Sequence, residues 1–313
     1  MKEIIITNNE EGQRLDRFLK KYLNKANQSF IYKMIRKKNI KLNNSKAEPE
    51  ILLKKDDLVQ VYLSDETISK FREKKTLKQT DIHFGVVYED DNILIVNKPI
   101  GLSSQPDETS SINLVDEIKM YLDAKEKNIS FTFKPAVCNR LDKNTSGLVI
   151  AAKNYETLKQ TNMAIRERSI KKFYMAKVHG IIDNTIELKD YLIKNENKNM
   201  VKIIKNEAES AKRVITTVRP LREEGNFTWL EIEIETGRAH QIRAHLASIG
   251  HPIVGDKKYG RKDSEKHQIL HAYKLILEGY EGSLSYLNGK TVKSEINDRF
   301  LLRGKTHENR ISK

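Results

Sequence analysis

Asn139-Arg140-Leu141-Asp142-Lys143-Asn144-Thr145-Ser146-Gly147 follows the short apolar run Ala136-Val137 and precedes the apolar segment Leu148–Ala152. An extended segment enters, a turn over Asn144–Gly147 reverses it, and a strand leaves. Side chains alternate along an extended chain, so Arg140 and Asp142 share one face and Leu141 takes the other. A carboxylate at a strand end beside a turn has two uses: it caps the turn through its side chain, as Asp commonly does, or it meets a substrate. Taken alone, the segment favours the cap.

Outward from this stretch, strands come in clusters without a regular strand–helix alternation. Phe84–Val87 and Ile93–Val96 read as strands across Tyr88–Asn92, and Asn97–Gly101 breaks into a loop. Helices are expected at Leu114–Tyr121 and Tyr155–Arg168, and strands at Phe173–Val178 and Phe227–Ile234. Ala239–Ile249 places Ala239, Ile242, Leu246 and Ile249 on one helical face, with Gly250 as the closing residue. The pattern predicts an α+β fold with a mixed, mainly antiparallel sheet over residues 82–303, and a polar tail over 304–313.

Residues 1–64 read as a separate small module. It holds a strand at Glu3–Thr7 and a helix within Gln13–Asn24, striped by Leu15, Phe18, Leu19 and Tyr22. A second helix, capped by Ser29, carries Ile31, Met34 and Ile35, and short strands follow at Ile40–Leu42, Ile51–Leu53 and Leu58–Leu63. Residues 65–81, charged and poor in apolar side chains, read as a linker outside any core.

The chain of 313 residues carries 57 Lys+Arg against 43 Asp+Glu, a formal net charge of +14. The excess is uneven: Arg14, Arg17, Lys20, Lys21, Lys25, Lys33, Arg36, Lys37, Lys38 and Lys41 stand against one acid, Asp16, in a single window. Such a stretch attracts polyanions, of which nucleic acid is the commonest in cells. With 38% hydrophobic residues the chain can bury a core. A lone Cys138 excludes an intrachain disulfide and a multi-Cys metal site. No signal-peptide pattern opens the chain and no apolar run nears a membrane span, so a soluble, cytoplasmic protein without a membrane partner is expected.

Several chemistries are absent. Gly289-Lys290-Thr291 and Gly304-Lys305-Thr306 have Leu284 and Arg299 where a phosphate loop needs glycine, and no GxGxxG, HExxH or GxSxG pattern occurs. An enzyme of this sequence is expected to need neither nucleotide cofactor nor metal. Two further stretches draw notice. Thr236-Gly237-Arg238-Ala239-His240-Gln241-Ile242-Arg243-Ala244-His245 brings two Arg and two His to a helix start, for phosphate, for a buried acid, or simply for solvent. Lys172-Phe173-Tyr174-Met175-Ala176-Lys177-Val178-His179-Gly180 is a strand on which Tyr174 is ordinarily packing.

Together these residues resemble the pseudouridine synthases that modify ribosomal RNA and some transfer RNA, in the branch with an N-terminal S4-type RNA-binding domain. Arg140-Leu141-Asp142 with Thr145-Ser146-Gly147, the Lys172/Tyr174/Ala176/Val178/Gly180 strand, Thr236–Leu246, Gly250–Gly260 and Lys98-Pro99-x-Gly101 follow that family's motifs in order, over about residues 84–280. The S4-type match over residues 14–63 is looser, and Asn139 replaces a His that many members carry. The resemblance implies that Asp142 acts at the sugar, as nucleophile on C1′ or base at C2′, with Arg243 as its bidentate partner and Tyr174 beside the target base. It implies that Arg140 fills the gap left by a flipped uridine. RNA contacts are expected from Arg14, Arg17, Lys20, Lys21, Lys33, Arg36, Lys37, Lys38, Lys41 and Arg238.

Large-subunit ribosomal RNA is the favoured substrate over transfer RNA, and the protein is expected to be a monomer. Two rivals share some features: a non-catalytic RNA-binding or ribosome-assembly factor, against which the intact Asp142, Tyr174 and Arg243 set stands, and a base-excising glycosylase, which no motif supports.

Overall fold

A computed structural model of the chain describes residues 1–72, 81–106, 112–125, 133–195 and 200–295. The expected tail and residues 73–80 of the expected linker lie outside these. The chain divides into two compact units, one comprising Met1–Ile95, Ser103–Arg140 and Ile150–Met163, the other Val96–Leu102, Leu141–Val149 and the chain from Ala164 onward.

The first unit opens with β1 (Lys2–Ile5), α1 (Leu15–Tyr22), α2 (Gln28–Arg36), β2 (Ile40–Leu42), β3 (Ser45–Lys46), β4 (Leu58–Val61) and α3 (Asp65–Phe71). The strands form an antiparallel sheet in the order β1-β4-β2-β3. Leu15, Phe18, Leu19 and Tyr22 recur at helical spacing and are buried with Ile31, Ile35, Ile40 and Val59 in one core.

Three expectations are corrected here. The cap of α2 is Asn27, whose side chain accepts from the Phe30 amide, because the helix starts before Ser29. Ile51–Leu53 is no strand: only Leu52 bridges to Arg14, and Leu52 is exposed. Residues 65–71 are not spacer. Ser64 caps α3 through the Thr67 amide, Ile68 joins the core, and the Phe71 ring lies 4.3 Å from that of Phe30. A few well-placed apolar residues outweigh a charged surrounding composition.

The remaining elements of this part of the chain are β5 (Gly85–Glu89), β6 (Ile93–Lys98), α4 (Leu114–Lys125), β7 (Ala136–Val137), β8 (Ser146–Ala152) and α5 (Tyr155–Arg166). Strands β6 and β8 each begin in one unit and end in the other.

The second unit holds β9 (Lys171–His179), β10 (Ile186–Asn195), β11 (Met200–Ile204), β12 (Lys212–Glu224), β13 (Phe227–Ile234), α6 (Gln241–Ser248), β14 (Leu270–Ile276) and β15 (Thr291–Lys293). Its sheet runs β11-β10-β12-β13-β9-β14, antiparallel throughout, with β15 also on β14 and the start of β8 paired parallel to β14. Pro220 has no N–H to donate, and the β12–β13 register shifts there. The α+β class with a mixed, mainly antiparallel sheet is therefore correct.

Helix α6 packs Ile242 and Leu246 inward, each worth about 2 kcal/mol of transfer free energy. It starts two residues later than its apolar spacing predicts, because His240 takes a left-handed conformation (φ 55°, ψ 12°). Gly250 closes it with φ 86°, as expected. No helix among the described residues is long and apolar enough to cross a membrane.

Candidate active site

Asp142 lies in the loop leading into β8. The Thr145 amide donates to the Asp142 main-chain oxygen at 3.0 Å, so the backbone closes this turn. The Asp142 side chain is free of capping duty and accepts from Arg243 instead. The residues on the β8 side of Asp142 are locked. Ser146 Oγ pairs with buried His271 Nδ1 at 2.9 Å, and Gln268 Nε2 donates to Thr145 Oγ1 at 3.2 Å. Gly147, at φ 120°, faces β14 so closely that a Cβ would stand 2.2 Å from the Ala272 oxygen, and only glycine fits.

The other side of the loop is held by Lys98. Its ammonium is fully buried and donates to the carbonyls of Pro99, Leu102 and Lys143 at 2.9, 2.8 and 3.2 Å. Burial lowers its pKa to about 8, against the pull of Asp142. The Gly101 amide donates to the same Lys143 carbonyl at 2.9 Å. The Lys98-Pro99-x-Gly101 loop thus grips the residue directly after Asp142.

Arg243 comes from α6. Its Nη1 donates to Asp142 Oδ2 at 2.8 Å, while Nε and Nη2 form a two-pronged pair with Asp256 at 2.7 and 2.8 Å. The expected bidentate pairing with Asp142 is therefore corrected: the fork belongs to Asp256, and Asp142 receives the third N–H. Asp256 is 0% exposed and also accepts from the Lys258 and Tyr259 amides. Burial opposes both charges, but the pairing overrides it, raising the Arg243 pKa and lowering that of Asp256. Asp142 Oδ1 makes no hydrogen bond among the described residues. One oxygen is anchored and the other is presented.

The start of α6 is pinned by Gln241, whose Nε2 donates to the Ile215 carbonyl and Thr216 Oγ1, both at 3.0 Å. His245 sits fully buried with Nδ1 2.8 Å from Thr216 Oγ1, its pKa pushed down to about 4 by burial. His240 faces Tyr259 and, at 3.9 Å, Asp142 Oδ2. Tyr174, on β9, is 7% exposed, and burial together with the Asp142 charge raises its pKa, so the phenol stays protonated at neutral pH. No group of three or more His, Cys, Asp or Glu among the described residues is arranged to hold a metal ion.

The other expected residues are placed differently. Arg140 is exposed and donates to Gln105 Oε1 at 3.2 Å. Asn139, in place of the family His, accepts from the Ile150 amide at 2.7 Å and so fastens its loop to β8. Arg238 is exposed. In the N-terminal helices Arg14 is committed to Asp16 and Glu50, and Lys20 and Lys21 to Ala26 and Gln13. Lys41 is half-buried over the Tyr62 ring. Arg17, Lys33, Arg36, Lys37 and Lys38 are exposed.

Lys98 and Asp256 are the partners that motif reading passed over. Both lie inside the family motifs, and a buried Arg that must hold one carboxylate while staying charged called for a second.

Fold and site together are those of an α+β catalytic domain built around a buried guanidinium that pairs with one buried carboxylate and presents a second. A family model described as RNA pseudouridylate synthase matches residues 92–248. A ribosomal large subunit pseudouridine synthase C of Rickettsia felis is 33% identical over 289 residues, 88% of this chain and 91% of that protein. An uncharacterized RNA pseudouridine synthase of Mycoplasma capricolum is 33% identical, covering 93% of this chain and 97% of that protein. The solved structure of human RNA Pseudouridylate Synthase Domain Containing 4 shares the fold with a TM-score of 0.57 at 20% identity, covering 69% of this chain and 90% of that one. The chain belongs to the RNA pseudouridylate synthase family.

Proposed function

We propose that this enzyme isomerises uridine to pseudouridine in large-subunit ribosomal RNA, with Asp142 as the reacting carboxylate. The reaction breaks N1–C1′, forms C5–C1′, loses the C5 proton and returns a proton to N1. Nothing leaves, so positioned side chains suffice. The observation that carries the reading is the Asp142–Arg243–Asp256 arrangement, whose Asp142 and Arg243 lie within the matched family domain: Arg243 orients one carboxylate oxygen and leaves Oδ1 for C1′ or C2′. Tyr174, protonated, is suited to lie against the uracil and to donate rather than to take a proton. Arg140, exposed next to this loop in sequence, takes the role of filling the space a flipped uridine leaves.

The ribosomal substrate rests on the relatives named ribosomal large subunit pseudouridine synthase. Residues 1–71, with their own core and a basic exposed face on α2 and the turn after it, act in this reading as an S4-type module that contacts phosphates through Lys33, Arg36, Lys37 and Lys38. The enzyme works as a monomer. The test is a pseudouridine map of ribosomal and transfer RNA from a strain lacking the gene, complemented with wild type or with Asp142→Asn. Loss of pseudouridine at large-subunit positions, restored only by wild type, is the expected result; changes confined to transfer RNA would overturn the ribosomal assignment.

A further inference from the structure

Val201 N–H donates to the Tyr259 hydroxyl at 2.8 Å, and that hydroxyl lies 2.9 Å from His240 Nδ1. The phenol has one proton, and among the described residues His240 Nδ1 is the acceptor it reaches. A phenol that donates to Nδ1 leaves that nitrogen unprotonated, and a neutral ring then carries its proton on Nε2. Burial, opposed by Asp142 and assisted by Arg243, pushes the His240 pKa down, in keeping with a neutral ring. The backbone holds His240 at φ 55°, and its ring meets Tyr259 edge-on with centroids 5.6 Å apart. The ring is thus held in place.

Nε2 stands 3.9 Å from Asp142 Oδ2, too far for a hydrogen bond. One oxygen about 2.8 Å from each atom would fit between them, with an angle of roughly 90° at that oxygen. A hydroxyl is the group that donates to a carboxylate while accepting from an N–H. Whether the carboxylate attacks C1′ or takes a proton at C2′, the hydroxyl nearest to it is the one on C2′.

We propose that His240 Nε2–H and Asp142 Oδ2 form a donor–acceptor pair for the 2′-hydroxyl of the target ribose, with Tyr259 fixing the imidazole tautomer. His240 is then a substrate-contacting residue that selects ribose over deoxyribose at the reacting nucleotide, by the group that distinguishes RNA from DNA. Tyr259 acts through it as a positioning residue. The inference rests on the isomerase reading above.

The test has two arms. In the free enzyme, imidazole 15N chemical shifts at pH 7 are expected to show the Nε2–H tautomer of His240, and a tautomer mixture in Tyr259→Phe. A proton on Nδ1 in the wild-type enzyme overturns the proposal without any RNA being used. In the second arm, a ribosomal RNA hairpin in which wild-type enzyme forms pseudouridine is compared with the same hairpin carrying 2′-deoxyuridine at that position. Absence of any such hairpin counts against the substrate reading, not against the tautomer result. Wild type is expected to bind the ribose form about fivefold more tightly, the worth of one hydrogen bond. His240→Phe brings this ratio close to one and leaves the salt dependence of binding unchanged. His240→Gln, which keeps an N–H donor, restores part of the ratio and remains informative if the Phe variant does not fold. An undiminished ratio in either His240→Phe or Tyr259→Phe removes the role assigned here.

Discussion

The basic helices of the first unit and the buried cations of the second use positive charge in opposite ways. Arg243 and Lys98 are buried, and each is surrounded by oxygen acceptors from several elements. Lys33, Arg36, Lys37 and Lys38 stand exposed on one end of α2 and the turn after it. A buried charge in a saturated site is fixed and barely screened, which suits the orientation of one carboxylate. An exposed charge is mobile and screened within about 10 Å at 0.1 M salt, which suits attraction to a polyanion but not catalysis. Arg14 shows the line between them: it belongs to the basic window in sequence, yet its guanidinium is committed to Asp16 and Glu50.

The comparison breaks most visibly at Asp142. Asp142→Asn is expected to leave less than about 1% of pseudouridine formation, because an amide is neither nucleophile nor base there. RNA affinity should stay within a few-fold, read by filter binding beside a single-turnover assay. Asp256→Ala strips Arg243 of its forked partner. Leaving a buried charge half-compensated is expected to cost about 3 kcal/mol in urea unfolding and to lower turnover far more than RNA affinity.

The exposed side is tested by salt. Replacing Lys33, Arg36, Lys37 and Lys38 together by Ala should flatten the plot of log affinity against log salt by about three units, if each meets one phosphate. Arg14→Ala should change that slope by less than about half a unit, since Arg14 serves its own module. Equal slopes for all three proteins would leave α2 without a role in RNA binding.

A smaller effect concerns pH. Burial lowers His271 from an ordinary 6.5 to about 4. As pH falls, the unfolded chain binds a proton near 6.5 while the folded one does not until about 4, so stability falls across that window. His271→Asn should remove about 1–2 kcal/mol of this loss between pH 6.5 and 4.5, read as the wild-type minus variant difference in urea unfolding.

Much of the site was legible along the chain. Asp142, Tyr174 and Arg243 sit in dense motifs; the structure joins Asp142, in the loop before β8, to Arg243 in the first turn of α6, and Tyr174 is buried on β9 within reach of the Asp142 charge. The pairing was less legible. Nothing in Gly255-Asp256-Lys257-Lys258-Tyr259-Gly260 says that Asp256 takes the fork of Arg243, since that depends on where the loop lies against α6. The helix caps and the start of α6 were also missed by apolar spacing alone: Asn27 displaces Ser29, and His240 adopts a left-handed backbone that no periodicity signals.

By itself, the sequence determined the α+β class, the basic character of the N-terminal helices and the family motifs, because periodicity, composition and short-range spacing are local properties. The tertiary structure alone decided which charges are engaged and which are free. Asp142 and Arg243 are joined across 101 positions of chain, and Ser146 and His271 across 125. Partners so distant are chosen by packing and desolvation, since a buried ion must find its counter-charge wherever the fold places one.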